Sequence, residues 1–257
     1  MTFSIESVPD LSGRTAVVTG ANGGLGLQTA TVLAGAGAHV VIAARNQAKA
    51  AVAADLIRDE HPDASIEIVE LDLGALASVT AAADAILAEH DTIDILVNNA
   101  GLMAMPEQKT ADGFEMQFGV NHLGHWALTA HLMPAILSAE AARVVTVTST
   151  AHHMGRPVDP DNPHLEGRYK PWRAYGQSKL ANYHFALGLQ AEFERAGASA
   201  ISLLAHPGLT DSDLQSHTVE QGGGGMLATI SHKMASTTGM SVEAGAMPQI
   251  LSLIHIS

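Results

Sequence analysis

The sequence predicts an α/β fold, a single doubly wound parallel sheet with helices on both faces. Three observations predict it. Short β-branched runs alternate with longer Ala-rich stretches along most of the chain. Two of those runs, Ala16-Val17-Val18 and Val40-Val41-Ile42, are apolar throughout, as strands covered on both sides must be. The first run leads directly into a glycine-rich turn and then a helix. Neither a proline-rich linker nor an internal repeat divides the chain, so residues 1–250 read as one domain.

In order, strands are expected at Thr15 to Thr19, His39 to Ala43, Ile66 to Leu71, Ile93 to Val97, Arg143 to Thr148 and Ala200 to Leu204. Helices are expected between them at Leu25 to Ala36, Ala48 to Glu60, Ala75 to Glu89, Gly113 to Leu137 and Ala174 to Ala196. Two stretches break the rhythm. Ala151 to Arg173 holds four prolines, and Asp211 to Met240 is polar with Gly222 to Gly225 in a row. Irregular segments of that length inside a compact domain are usually functional or disordered.

Composition removes several function classes. The 257 residues carry 26 acids against 13 bases, a formal charge of -13, so a nucleic-acid partner is not expected. The absence of cysteine excludes disulfides and thiolate metal sites. Hydrophobic residues make up 47 %, yet no apolar run reaches the ~20 residues of a membrane span. Met1 to Asp10 lacks the charged-then-apolar order of a signal peptide. A cytoplasmic protein without an integral membrane segment is expected.

The turn after the first strand reads Thr19, Gly20, Ala21, Asn22, Gly23, Gly24, Leu25, Gly26. Glycines there let the backbone approach a pyrophosphate, and the following helix start offers free N–H groups. A dinucleotide site of the Rossmann type follows, with Gly20, Asn22, Gly24, Leu25 and Gly26 holding the cofactor. The end of the second strand selects which dinucleotide. An acid would hold the ribose hydroxyls, whereas an arginine accepts a 2′-phosphate. The residues are Ala43, Ala44, Arg45 and Asn46, so NADP(H) is favoured over NAD(H). Tyr175 and Lys179, four apart, share one helix face, and a nearby ammonium favours a phenolate.

Together, Thr19 to Gly26, Asn98-Asn99-Ala100-Gly101, Ser149, and Tyr175 with Lys179 resemble the short-chain dehydrogenase/reductase family, from about Gly13 to about Leu214. Gly119-Val120-Asn121-His122-Leu123-Gly124-His125 and His206-Pro207-Gly208 are similar to its retinol-dehydrogenase-like branch. The resemblance implies a carbonyl–alcohol oxidoreductase with Asn121, Ser149, Tyr175 and Lys179 as catalytic residues. Tyr175 would be the general acid or base, and Lys179 would lower its pKa and bind the nicotinamide ribose. Ser149 would bind the substrate oxygen, and Asn121 would hold a water leading to Lys179. Asp72, with Leu73 beside it, would meet the adenine, and Asn98, Ala100 and Gly101 would line the adenosine side. Pro207, Gly208 and Leu209 would contact the carboxamide, with Thr210 or Ser212 near the phosphates. Gly23 stands where some NADP-preferring members carry a base, which leaves Arg45 nearly alone.

The implied substrate is a small apolar carbonyl or alcohol, with Trp172 and Tyr169 as candidate pocket walls. A homodimer or homotetramer through helices 113–137 and 174–196 is implied by the resemblance alone. A competing expectation is a catalytically inactive nucleotide-binding sensor or scaffold; the complete catalytic set argues against it. Fourteen histidines raise the question of a metal, but neither His122 with His125 nor His152 with His153 has a completing ligand, so none is expected. Leu251 to Ser257 looks like a translated sequencing-library adapter, so a non-native tail is expected there. If the chain is cut short at that point, the sheet lacks its last strand and one edge is bare.

Overall fold

A computed structural model describes residues 7–208 and 241–254. Six strands pair in parallel in the order β3-β2-β1-β4-β5-β6. They are β1 (Thr15–Thr19), β2 (His39–Ala44), β3 (Ile66–Glu70), β4 (Ile95–Asn98), β5 (Arg143–Val147) and β6 (Ile201–Ala205). The helices are α1 (Gly24–Gly35), α2 (Gln47–Glu60), α3 (Leu76–Glu89), α4 (Met116–Phe118), α5 (Gly124–Ser138), α6 (Pro171–Ala196) and α7 (Val242–Ile254). Because side chains alternate along a strand, the inner strands β1, β2, β4 and β5 feed two cores. Val17, Val41, Leu96 and Val144 pack with Ile86 of α3, Leu132 of α5 and Phe193 of α6. Val18, Ile42, Val97 and Val145 pack on the other side with Leu33 of α1 and Ile57 of α2. The doubly wound expectation is met, and strand order reverses between β1 and β4. At such a reversal the loops leaving the strand ends diverge and open a crevice.

Most element bounds shift from the sequence reading by one to three residues. β4 starts at Ile95, just after Asp94, whose carboxylate takes the Arg14 guanidinium at 2.6 Å and the Thr15 amide at 2.9 Å. α6 starts at Pro171, before Ala174, since proline at the first helical position has the required φ and lacks only a hydrogen that would go unbonded. Ala151 to Arg173 is less irregular than its prolines suggest, since Thr150–Met154 forms a 3₁₀ turn.

The largest difference is the expected helix Gly113 to Leu137. It resolves into α4, a π turn at Gly119–Leu123, and α5. Glu115 sets the start, its carboxylate accepting from the amides of Gln117 (2.9 Å) and Phe118 (2.7 Å). At the far end, Leu251–Ile254 continue α7. Ala246 and Ile250 of that helix bury against Val32 of α1.

Candidate active site

The glycine turn and Tyr175 meet at the carboxyl ends of β1, β2, β4 and β5. There a cavity of about 850 Å³ runs from the glycine turn to Tyr175. Gly20, Asn22, Gly24, Leu25 and Gly26 line one end of it. Gly20 has φ +68, a left-handed conformation that glycine adopts without strain. Gly26 is required for space: a Cβ there would sit 2.6 Å from both Asn99 Nδ2 and the Gly20 carbonyl oxygen. Thr19 locks this turn to the end of β4. Its hydroxyl accepts from the amides of Asn99 (2.9 Å) and Ala100 (3.0 Å), while Asn99 Nδ2 donates to the Thr19 carbonyl at 2.8 Å.

Arg45 and Asn46 lie on the cavity wall at the end of β2, as does Lys49 in the first turn of α2. Asn46 also caps α2, accepting from the Lys49 amide at 2.9 Å. Lys49 escaped the sequence reading, although its spacing of four from Arg45 across a helix start was a usable signal. Asp72, Leu73, Ala100, Gly101, Pro207 and Gly208 also line the cavity. Leu209, Thr210 and Ser212 lie outside the described residues.

Asn98 does not reach the cavity. Its side chain is buried below and donates to Thr129 Oγ1 at 3.1 Å; its neighbour Asn99 takes the wall position. Side chains alternate along a strand end, so a four-residue motif cannot say which asparagine faces out.

The first turns of α6 put Tyr175, Ser178, Lys179 and Asn182 on one buried face. Tyr175 is hydrogen-bonded to Ser149, and the Lys179 ammonium lies 5.9 Å from the phenol ring centre. Lys179 Nζ donates to the Val147 carbonyl at 3.2 Å, and Asn182 Nδ2 donates to the same oxygen at 3.2 Å. Burial pulls the Lys179 pKa down to about 8. Burial also pushes the Tyr175 phenol up, partly offset by the Ser149 hydrogen bond. Burial is thus the larger of the two influences on the Tyr175 phenol, and Ser149 opposes it.

Asn121 sits between the Leu102 loop and α6. Its side chain accepts from the Leu102 amide at 2.7 Å and donates to the Leu102 carbonyl and Ser178 Oγ, each at 2.9 Å. Its backbone carbonyl takes His125 Nδ1 at 3.0 Å. Asn121 thus braces the Gly101–Leu102 loop against α6. A carbonyl only accepts, so His125 Nδ1 carries the proton. Its Nε2, 2.9 Å from Thr19 Oγ1, is then the acceptor. His125 is fully buried and its pKa is depressed to about 3 by desolvation. His122 turns elsewhere, to Asn182 Oδ1 at 3.2 Å. His152 stacks on Tyr183, with Nδ1 2.6 Å from the Ser149 carbonyl.

Beyond Tyr175 the cavity is walled by Leu102, Met103, Met105, Met154 and Trp172. Tyr169 is not on that wall; it braces it from behind, its hydroxyl donating to the Met105 carbonyl at 2.7 Å.

Comparison with known proteins agrees with this geometry. The family described as short chain dehydrogenase matches residues 14–222. The chain belongs to the short-chain dehydrogenase/reductase family. Among its relatives, human retinol dehydrogenase 12 is 42% identical over 208 residues, covering 81% of this chain and 65% of that protein. Human retinol dehydrogenase 13 is 40% identical over 209 residues, covering 81% and 62%. These place this family member in the retinol-dehydrogenase-like branch. The chain spans about two thirds of the relatives' length, 65% and 62%. A crystal structure of an uncharacterized protein from Mycobacterium paratuberculosis matches with TM-score 0.80 at 38% identity, over 100% of this chain and 82% of that one.

Proposed function

We propose that this short-chain dehydrogenase/reductase is an NADP(H)-dependent oxidoreductase that interconverts an apolar carbonyl compound and its alcohol. The observation that carries the reading is the Ser149–Tyr175 hydrogen bond beside buried Lys179, at the junction of the glycine-lined and apolar halves of one cavity.

The residues fit a dinucleotide. The turn keeps Gly26 where a side chain would clash, and it opens onto the cavity beside the start of α1. Arg45 and Lys49 put two cations, and no acid, at the end of β2, which suits a 2′-phosphate. Asp72, Ala100 and Gly101 would flank the adenosine, and Pro207 and Gly208 the nicotinamide end. A bound nicotinamide dinucleotide would supply the hydride in reduction and accept it in oxidation.

The chain's own residues would do the rest. Tyr175 gives its phenolic proton to the substrate oxygen during reduction and takes it back during oxidation. Ser149 holds that same oxygen as charge develops on it. Lys179 stabilises the phenolate left behind. Asn121 and His125 act through position, by holding the Leu102 loop, α6 and Thr19 in register.

Leu102, Met103, Met105, Met154 and Trp172 support an apolar substrate, retinaldehyde-like compounds among them by analogy with the retinol dehydrogenases. A homodimer or homotetramer is part of the proposal, because Trp126 on α5 and Leu187 on α6 leave 54% and 53% of their surface exposed.

The test is NADPH consumption across apolar aldehydes and ketones, with NADH in parallel. NADPH-linked turnover of at least one is expected. Arg45→Asp should weaken NADPH binding about tenfold or more while sparing NADH, since an ion pair to a phosphate dianion is lost. An unchanged preference would contradict the cofactor assignment. NADPH binding without turnover of any carbonyl would return the sensor or scaffold reading.

A further inference from the structure

We propose that His39, Glu67 and His90 form a binding site for one divalent transition-metal ion, with Zn²⁺ the best match, at the opposite end of the strands from the NADP(H) cavity. His39 opens β2, Glu67 lies near the start of β3, and His90 caps the end of α3. The register pairs Val41 with Glu67, so His39 and Glu67 point to the sheet face that α3 covers.

The three side chains converge on one point. Glu67 Oε2 is 2.8 Å from His90 Nε2 and 3.4 Å from His39 Nε2. All three ligand atoms lie within 4.8 Å of one another. Tetrahedral zinc with bonds of about 2.0–2.1 Å separates its ligand atoms by about 3.3–3.4 Å. The His39–Glu67 distance already has that value. The His90–Glu67 distance needs to open by about half an ångström, within the reach of a glutamate rotamer.

The surroundings also suit an ion. Ser65 Oγ stands 2.7 Å from His39 Nδ1 and can accept its proton, leaving the Nε2 lone pair turned inward toward Glu67. This is how outer hydrogen bonds orient metal-ligating histidines. In that tautomer the lone pair and the carboxylate both face the point where a cation would sit. Two imidazoles and one carboxylate are a donor set that zinc accepts, and the fourth position is left for water. The side chains are 29%, 28% and 15% exposed for His39, Glu67 and His90, so an ion can enter without unfolding.

Bound there, the ion would tie the end of α3 to the edge of the sheet, since β3 is the outer strand. The ligands stand 28 and 23 residues apart in sequence, which is why no metal spacing is visible in the chain itself.

The experiment titrates Zn²⁺ into the full chain after stripping with a chelator. Wild type should bind one equivalent saturably, with a rise in Tm that the chelator reverses. Glu67→Gln and His90→Asn should each weaken that event tenfold or more. His152→Asn/His153→Asn, which alters the adjacent surface pair, should leave it unchanged. As a readout needing no variant, Co²⁺ loaded into wild type should give the intense visible bands of four-coordination. No saturable binding, a pale six-coordinate Co²⁺ spectrum, or binding lost only with His152 and His153 would overturn the proposal.

Discussion

At the scale of single residues, the same physical term acts on three groups with different results. Burial raises the Tyr175 phenol, lowers Lys179 to about 8 and lowers His125 to about 3. For His125 the consequence is for stability. The folded chain refuses a proton that the unfolded chain accepts from about pH 6.5 downward. The contribution is therefore fully present above pH 6.5 and is lost as pH falls toward 3. Over that window it is on the order of a few kcal/mol. His125→Gln should flatten the acid limb of a urea-denaturation series taken from pH 7 to pH 4. Parallel limbs would remove His125 from the acid sensitivity. The Tyr175–Lys179 pair was legible in the sequence because a spacing of four fixes a shared helix face. The role of His125 was not, since burial is a property of the fold and a sequence places no lid over a side chain.

At the scale of elements, the glycine turn and the π turn do the positioning. Glycines 20, 24 and 26 announced the first, because a strand, a glycine cluster and a helix have few other uses. The fit at Gly26 gives a sharp expectation. Gly26→Ala places a methyl 2.6 Å from Asn99 Nδ2 and the Gly20 oxygen, so the turn must open. The loss should be roughly 1–3 kcal/mol of stability, with weaker NADPH binding, by denaturation and fluorescence titration. Wild-type values in both would mean that the turn is looser than its contacts indicate. The π turn at Gly119–Leu123 was not legible. Its apolar residues continue the period of the expected helix, and the break depends on Glu115 capping from outside and on Asn121 reaching Leu102 and Ser178.

For the whole molecule, alternation of strands and helices was enough to predict a parallel sheet, and the reversal of strand order explains where the crevice opens. Substrate identity is less legible, because the apolar wall is assembled from Leu102, Met105, Met154 and Trp172, which are scattered in sequence and share no pattern. Self-association belongs to this scale too. Trp126→Glu with Leu187→Glu should shift the species seen by sedimentation toward monomer; an unchanged distribution would remove those faces from the interface.

The central claim is that Tyr175 passes a proton to a substrate oxygen beside a bound nicotinamide. The most direct measurement compares Tyr175→Phe with wild type for both NADPH affinity and single-turnover carbonyl reduction. The substitution removes the hydroxyl and leaves the ring. NADPH affinity should stay within about threefold, and the reduction rate should fall by roughly 10²–10⁴, the usual worth of a positioned acid. A variant that binds NADPH and still reduces substrate at the wild-type rate would contradict it.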